Sequence, residues 1–424
     1  MQKLVIEGGK MLCGELKTQG AKNAVLPVMA AAVLCKGVSV LDNCPSITDS
    51  YCAVRIINCL GMKAIQSGGN CTIDAAVLDD NPTIPDRLMR EMRSSIIFMG
   101  TLLGRIGRCN LYYPGGCDLG PHPIDMHISS LKRMGAQIED EGEKITCCAP
   151  NGLHGCSIAL SFPSVGATEN IILAAVCAEG ETVISNAARE PEICCMADFL
   201  RQCGAVIKGD GSGRIVIEGV EELKQPEGEV FGIYPDRIAA ATYIACVASA
   251  GGEMLLTDCT PCHLEGVIPI FEQMGCYIKA FGSNIYIHKR DTLTAVDTIR
   301  TMVYPGFPTD VQAIVMAPLC TARGTTVFVE NIFENRYRHT LGLCRMGADI
   351  KAEGKVAVVS GVKKLHGAKM DAPNLRGGAG LVTAALGAEG TSEIASTEYI
   401  DRGYENIEGN LTALGAKIRR ISSG

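Results

Sequence analysis

The stretch Met346-Gly-Ala-Asp-Ile350 is one copy of a pattern that recurs six times: an apolar residue, glycine, a small residue, any residue and isoleucine. Successive glycines of the pattern are 68–74 residues apart, and 424 residues divided by six gives about 71. Because self-similarity at a fixed period indicates repeated structural units, the pattern divides the whole chain into six units. The other five copies are Leu60-Gly-Met-Lys-Ala-Ile65 (one residue longer), Met134-Gly-Ala-Gln-Ile138, Cys203-Gly-Ala-Val-Ile207, Met274-Gly-Cys-Tyr-Ile278 and Leu414-Gly-Ala-Lys-Ile418.

Each unit has the same internal order of elements. An apolar helical segment ends near a punctuating glycine, a β-branched strand such as Glu181–Ser185 follows, and a second amphipathic helix ends at the repeat glycine in the left-handed position that favours glycine. Two short strands complete the unit. A unit of this size is too large for a solenoid repeat. Six such units favour two α/β domains of three units, each with its own core.

Alignment of the units places one set of residues at the start of each first helix. Three of the six are cations, although the positive end of the helix dipole favours Asp or Glu at that place. Cations at a helix start, beside unpaired N–H groups, indicate an anion-binding site. Ordinary surface charges are the alternative interpretation. The six residues are Lys22, Arg93, Thr168, Asp236, Asp310 and Arg376.

The second unit carries an insertion. It has 28 residues from its punctuating glycine to its repeat glycine, whereas the other units have 23–25. The extra residues fall in the Pro- and Gly-rich segment 112–123, which predicts an exposed loop. Cys117 lies in this loop beside two glycines, so it is expected to be accessible, whereas the other twenty cysteines are expected to pack in the interior.

Composition excludes several classes of protein. The chain has 39 Lys+Arg and 46 Asp+Glu, a net charge of −7, and it has no basic run. We therefore expect no nucleic-acid or membrane partner. Its 21 cysteines are an odd number, and the N-terminus has no signal-peptide pattern. These features indicate a reduced, cytoplasmic location.

Seven ordered motifs carry a resemblance that runs from end to end. With them the chain resembles the enolpyruvyl transferase family that acts on UDP-N-acetylglucosamine. The motifs are Gly20-Ala-Lys-Asn-Ala24, Pro114-Gly-Gly-Cys117 with Pro123-Ile-Asp-Met-His127, Ser164-Val-Gly-Ala-Thr168, Asn186-Ala-Ala-Arg-Glu-Pro-Glu192, Phe307-Pro-Thr-Asp310, Phe333-Glu-Asn-Arg336 and Ile400-Asp-Arg-Gly-Tyr-Glu405.

The resemblance implies an inside-out α/β barrel of two domains, each of three βαβαββ repeats. One domain would be residues 22–234, with the cysteine loop, and the other residues 1–21 with 235–424. The implied reaction transfers the enolpyruvyl group of phosphoenolpyruvate to the 3′-hydroxyl of UDP-N-acetylglucosamine and releases phosphate. In the family this is the first committed step of peptidoglycan synthesis. Both substrates are small molecules, and no metal or organic cofactor is implied.

The resemblance also implies roles for individual residues. Cys117 would be the general acid and Asp310 the base, with Lys22 and Arg402 completing the catalytic set. Two further groups would bind the substrates. Phosphate and carboxylate would be held by Lys22, Arg93, Arg376 and Arg402, with Asn23 orienting the intermediate. The uridine and sugar would be lined by Pro123, Ile124, Asp125, Met126, Ser164, Val165, Gly166 and Ile332. His122, Asp310 and Arg336 would also contact the substrates, His122 through the phosphate.

Two positions depart from the family pattern. His122 stands where many members have Arg, so a weaker or pH-dependent phosphate contact is expected. Phe162 stands where some members have Lys, so the nucleotide contact at that position is expected to differ. Two other functions are considered. A transferase acting on shikimate 3-phosphate shares the fold but needs no loop cysteine. A silent nucleotide-sugar sensor would need no acid and base pair.

Overall fold

A computed structural model describes residues 2–115, 124–289 and 291–422. Over these residues the chain forms strands and helices in alternation. The strands, in chain order, are β1 Gln2–Glu7, β2 Leu12–Lys17, β3 Val38–Asp42, β4 Lys63–Ser67, β5 Asn70–Asp74, β6 Arg108–Tyr112, β7 Gln137–Asp140, β8 Lys144–Cys148, β9 Ser157–Ala159, β10 Glu181–Ser185, β11 Val206–Lys208, β12 Arg214–Glu218, β13 Phe231–Gly232, β14 Gly252–Thr257, β15 Cys276–Phe281, β16 Asn284–Lys289, β17 Thr298–Arg300, β18 Thr325–Val329, β19 Asp349–Glu353, β20 Val356–Ser360, β21 Lys369–Asp371, β22 Thr391–Ala395 and β23 Lys417–Ser422.

The α-helices separate these strands. They are α1 Lys22–Ala32, α2 Thr48–Cys59, α3 Asp86–Glu91, α4 Phe98–Ile106, α5 Asp125–Arg133, α6 Val165–Ala175, α7 Pro191–Gln202, α8 Arg237–Ala250, α9 Ile268–Gln273, α10 Thr309–Leu319, α11 Thr340–Arg345, α12 Leu375–Gly387 and α13 Ile407–Ala413. Short 3₁₀ helices span Arg93–Ile97, Pro261–Leu264, Arg336–His339 and Thr397–Arg402. No helix in the described part of the chain is long and apolar enough to cross a membrane.

The six repeat glycines end the second helix of each unit. Helices α2, α5, α7, α9, α11 and α13 each stop two residues before the glycine, and the glycine φ angles lie between 88° and 104°. A residue with a Cβ is strained at such angles, so glycine is the residue that can turn the chain out of the helix. The predicted helix ends are confirmed.

The described strands form one small sheet per repeat. In five of the six described sheets the strand after the punctuating glycine lies inside its sheet, whereas β6 lies at an edge. Strand β10, for example, pairs in parallel with β9 and antiparallel with β12. The run β9–α6–β10–α7–β11–β12 is therefore a βαβαββ unit. Strand β1 completes the last sheet by pairing with β22 and β23, and β13 completes the first by pairing with β3.

The described chain divides into two compact units. One comprises residues 20–115 and 124–234, and the other comprises residues 2–19 with 235–289 and 291–422. In the second of these, α8, α10 and α12 pack on one another, and residues 237–248 of α8 are all buried. In the first, α4 packs on α6, and α1 packs on α7. Helices that are apolar on all sides belong inside a core, so the predicted inside-out α/β class is confirmed, with small sheets that do not themselves close into barrels.

The expectation that the cysteines other than Cys117 are packing residues is wrong for part of the set. Twelve of the described cysteines are buried, and burial raises the pKa of thiols such as Cys71, to about 12. Four described cysteines are exposed, because they lie on outward faces of strands and helices. The periodicity of the sequence did not distinguish these outward positions from inward ones. The four exposed cysteines are Cys13, Cys59, Cys262 and Cys344.

Candidate active site

Asp310 lies in the first turn of α10, where two arginines hold its carboxylate. Arg336 donates from Nη2 to Asp310 Oδ1 at 2.9 Å, and Arg376 donates from Nε and Nη2 to Oδ2 at 3.3 and 3.2 Å. Both arginine side chains are 3% exposed, whereas the aspartate side chain is 28% exposed. The three residues, predicted separately from the sequence, are thus brought into direct contact.

The guanidinium of Arg376 is fixed from its other side by Tyr404. The arginine Cζ lies 5.4 Å from the centroid of the tyrosine ring. The Tyr404 hydroxyl lies 2.8 Å from Thr242 Oγ1, whose own proton goes to Ile238 O, so the tyrosine is the donor of that pair. Burial alone lowers the pKa of Arg376, but Tyr404 and Asp310 more than offset it, so the net shift is upward. Its buried Nη1 has no hydrogen-bond partner among the described residues.

Arg336 opens a 3₁₀ helix and contacts the start of α10 a second time. Its Nε and Nη2 donate to Thr309 O at 3.2 and 2.9 Å, and its Cζ lies 5.6 Å from the centroid of the Phe333 ring. Planar guanidinium groups bind carboxylate and phosphate through paired hydrogen bonds. A carboxylate beside two such groups combines a proton acceptor with anion-binding capacity.

Arg402 ends the 3₁₀ helix Thr397–Arg402 and is half-buried. The backbone that follows it is fixed by Gln19, whose Nε2 donates to Gly403 O at 3.0 Å and whose Oε1 accepts from Glu405 N at 2.9 Å. A side-chain amide that uses both ends in this way resembles one rung of a β-ladder. Gln19 therefore holds the segment that carries Arg402.

Lys22 and Asn23 begin α1, as predicted. Lys22 Nζ lies 3.1 Å from Asp49 Oδ2, and the two side chains are 13% and 2% exposed. Because both partners are buried and in contact, Asp49 holds the Lys22 ammonium in place, and removing either partner should be strongly destabilising. Sequence reasoning missed Asp49, because an acid in the first turn of α2 is the ordinary preference of a helix start.

Arg93 opens the 3₁₀ helix that precedes α4, and its Nη1 donates to Pro114 O at 3.4 Å. Thr168 is not at a helix start: α6 begins at Val165, because Ser164 caps it by accepting from Ala167 N at 3.3 Å. Thr168 is buried within the helix, and its Oγ1 accepts from Ala188 N at 3.1 Å. That part of the alignment is corrected.

The starts of α5 and α6 bring together six of the residues predicted for the uridine and sugar. Ile124 is buried just before α5, Asp125 is exposed and Met126 half-buried in its first turn, while Ser164, Val165 and Gly166 are half-buried at the start of α6. Ser161 Oγ lies 3.6 Å from Met126 Sδ. The two helices pack on each other.

His127, in α5, fixes this pairing of helices. Its ring lies 3.2 Å from the place where a Cβ on Gly166 would stand, so a side chain at Gly166 would require the His127 ring to shift by a few tenths of an ångström. His127 Nδ1 lies 2.7 Å from Asn170 Nδ2 in α6. Burial, aided by the positive charge of Arg93, lowers the pKa of His127 to about 4, which keeps the ring neutral. Asn170 carried no signal in the sequence.

Three of the predicted site residues, Cys117, His122 and Pro123, lie outside the described residues. Phe162 is 42% exposed. Ile332 is half-buried, and its N–H donates to Glu330 Oε1 at 2.9 Å. Sequence reasoning also missed Glu330, because a glutamate directly after a strand is usually exposed to solvent.

Comparisons with known proteins agree over the full length. The sequence profile of the family described as EPSP synthase (3-phosphoshikimate 1-carboxyvinyltransferase) matches residues 6–411. The chain is 47% identical over 421 residues to a UDP-N-acetylglucosamine 1-carboxyvinyltransferase 2 from Caldanaerobacter subterraneus subsp. tengcongensis, covering 99% of this chain and 100% of that one. It is 43% identical over 421 residues to a UDP-N-acetylglucosamine 1-carboxyvinyltransferase from Nitratidesulfovibrio vulgaris, covering 99% of each.

A solved structure shows the same fold. The enolpyruvyl transferase NikO from Streptomyces tendae superposes with a TM-score of 0.89 at 24% identity, covering 100% of this chain and 99% of that one. At that identity the likeness shows the fold alone, whereas the sequence relatives show the group within it. The chain therefore belongs to the enolpyruvyl transferase family, in the group of UDP-N-acetylglucosamine 1-carboxyvinyltransferases.

Proposed function

We propose that the chain transfers the enolpyruvyl group of phosphoenolpyruvate to the 3′-hydroxyl of UDP-N-acetylglucosamine, with release of phosphate, as a step of peptidoglycan precursor synthesis. The observation that carries the proposal is the Asp310 carboxylate held by Arg336 and Arg376 at the start of α10. A base beside two fixed cations suits the addition of a hydroxyl group to an anionic enol phosphate. The names of the full-length relatives select the acceptor.

The reaction proceeds by addition and elimination. In the addition, the sugar oxygen bonds to C2 of phosphoenolpyruvate, the hydroxyl proton goes to a base, and C3 gains a proton from an acid. In the elimination, the bond from C2 to the phosphate oxygen breaks and C3 loses a proton, which restores the double bond. We assign the acid to Cys117 and the base to Asp310, with Lys22 and Arg402 supporting the charge that develops on the reacting groups.

Substrate binding follows the two groups of residues. We propose that phosphate and carboxylate bind to Lys22, Arg93, Arg336, Arg376 and Arg402, since fixed cations favour both anions. Asn23 orients the tetrahedral intermediate. The uridine and sugar bind at Pro123, at the starts of α5 and α6 and at Ile332. Asp310 contacts the sugar hydroxyl, and His122 contacts the phosphate.

The domain assignment and location are part of the same proposal. We assign residues 22–234 to one enolpyruvyl transferase domain, with the cysteine loop, and residues 1–21 and 235–424 to the other. A cytoplasmic enzyme with small-molecule substrates, and with no nucleic-acid or membrane partner, fits the acidic composition.

Transfer to shikimate 3-phosphate is the second candidate, favoured by the description of the matching family profile. Phosphate release from phosphoenolpyruvate, measured with each acceptor, separates the two. We expect release with UDP-N-acetylglucosamine and a product heavier by one enolpyruvyl group. Release with shikimate 3-phosphate alone would overturn the proposal, and binding of the UDP-sugar without any release would indicate a sensor.

Variants test the assigned acid and base in the same assay. We expect Cys117→Ser and Asp310→Asn each to lower kcat by about 10²- to 10⁴-fold, the usual contribution of a general acid or base. Asp349→Asn is the matched control, because Asp349 is an exposed aspartate on β19. Full turnover of either variant would remove that residue from its role.

A further inference from the structure

Glu330 is a fully buried carboxylate directly after β18. It is 0% exposed and accepts four hydrogen bonds. Its Oε1 accepts from Thr301 Oγ1 at 2.9 Å, Ile332 N at 2.9 Å and Phe333 N at 3.2 Å, and its Oε2 accepts from Thr309 Oγ1 at 3.0 Å. A buried carboxylate persists only where donors replace water. All four contacts are donors, as an ionised carboxylate requires.

These contacts join three segments that are distant in the sequence. Thr301 follows β17, Thr309 is the first residue of α10, and Ile332 and Phe333 lie in the loop after β18. A negative charge beside the N-terminus of α10 is also favoured by the helix dipole. Glu330 therefore connects the loop to the helix start through a side chain with no freedom to move into solvent.

A second link runs between the same two segments. Arg336, at the far end of the loop, donates to Thr309 O and to Asp310 Oδ1. The Thr309 side chain and the Thr309 backbone are thus held by opposite ends of one loop. Because Asp310 is the next residue, the contacts of Thr309 with Glu330 and with Arg336 together fix the backbone from which its carboxylate extends.

We infer that Glu330 is a positioning residue that acts through the Thr309 hydroxyl to set the place of the Asp310 carboxylate. The inference rests on the proposed function, in which Asp310 is the base. Glu330 also holds the N–H of Ile332, so it sets part of the proposed UDP-sugar site. Loss of the Glu330 carboxylate should affect both turnover and acceptor binding. Loss of only the Thr309 hydroxyl should affect turnover and leave acceptor binding unchanged.

Thr309→Val is the decisive variant, because valine has the shape of threonine without its hydroxyl, and Glu330 Oε1 keeps its three donors. A displacement of about 1 Å at a catalytic group can cost about 100-fold in rate. We expect kcat to fall 10- to 100-fold, with KM for both substrates within about twofold. Thr309→Ser, which restores the hydroxyl, should recover most of kcat. A purely structural role predicts neither the split between kcat and KM nor this recovery.

Two further variants complete the series. Glu330→Gln keeps an acceptor for three donors, and its amide can donate to Thr309 Oγ1, so we expect only a small fall in kcat. Glu330→Ala removes all four contacts, so kcat should fall further and KM for the UDP-sugar should also rise. Glu334→Gln is the matched control, because Glu334 lies in the same loop but is exposed. It should match the parent. If Glu330→Ala fails to fold, Thr309→Val still decides.

Crystal structures of Thr309→Val and Thr309→Ser, without substrates, separate this inference from the proposed function. We expect the Asp310 carboxylate to lose its hydrogen bond to Arg336 or to Arg376 in Thr309→Val and to keep both in Thr309→Ser. If the wild type releases no phosphate with UDP-N-acetylglucosamine, the proposed function fails and the structures still judge the positioning. An unmoved carboxylate with kcat unchanged in Thr309→Val would overturn the inference.

Discussion

Replacement of His127 by glutamine should make the compact unit of residues 20–115 and 124–234 less sensitive to unfolding by acid. His127 is 7% exposed, and its Nδ1 contacts Asn170 Nδ2 at 2.7 Å. The orientation of the Asn170 amide is fixed, because its Oδ1 accepts from Gly100 N at 2.7 Å and its Nδ2 donates to Ile96 O at 3.0 Å. His127 Nδ1 must therefore be the acceptor. Protonation of Nδ1 would place its N–H directly against the N–H of Asn170 Nδ2, and the hydrogen bond would be lost.

The size of the effect follows from the pKa of His127. Burial, and then the charge of Arg93, lower it from the ordinary 6.5 to about 4. An unfolded histidine takes up its proton near pH 6.5, but the folded one does so only near pH 4. The contribution to stability is therefore intact above pH 6.5 and is lost as the pH falls towards 4. At pH 4.5 the loss is about 2.5 kcal/mol, from about 1.4 kcal/mol for each pKa unit.

Urea unfolding at pH 7.5 and pH 4.5 measures this loss, with hydrogen exchange of peptides from α5 and α6 as the local readout. We expect the wild type to lose about 2 kcal/mol more than His127→Gln over this interval. His154→Gln is the control, because His154 belongs to the same unit but its side chain is 52% exposed, and it should behave as the wild type. Equal losses in the wild type and His127→Gln would refute the reasoning.

Three further changes have defined outcomes. Gly100→Ala places a Cβ 2.2 Å from Asn170 O, so thermal unfolding should show a loss of about 3 kcal/mol; an unchanged melting temperature would contradict the close packing. Gln19→Ala removes both bonds that hold the segment after Arg402, about 2 kcal/mol of local stability, and steady-state kinetics should show a raised KM for phosphoenolpyruvate. His122→Arg should tighten phosphoenolpyruvate binding and remove its pH dependence between about pH 6 and 8; kinetics equal to the parent across that range would remove His122 from the phosphate contact.

The repeat could be predicted because it is local. A glycine at positive φ two residues beyond a helix is a property of a few consecutive residues, and the same few residues appear six times. The βαβαββ order follows from the alternation of helical and strand periodicities around those glycines. The pairing of β1 with β22 and β23 joins the two ends of the chain, and periodicity alone carries no signal for it.

The candidate site residues could be named one by one from the sequence, but their contacts could not. Motifs pointed to Asp310 and Arg336, and the alignment of the six units pointed to Arg376. Nothing local, however, places Arg376, 66 residues along the chain, on the Asp310 carboxylate. Contacts of this kind depend on how α10 and α12 pack, which is a property of the whole core.

By itself, the sequence determined the six units, the helix ends, the fold class and the family, because dihedral preferences and motif residues are written along the chain. Only the tertiary structure decided which buried polar groups satisfy one another. Asp49 beneath Lys22, Asn170 beside His127 and Glu330 behind Thr309 look like ordinary polar residues in the sequence. Each acquires its role because a buried donor or acceptor must find a partner, and that partner comes from an element distant in the chain.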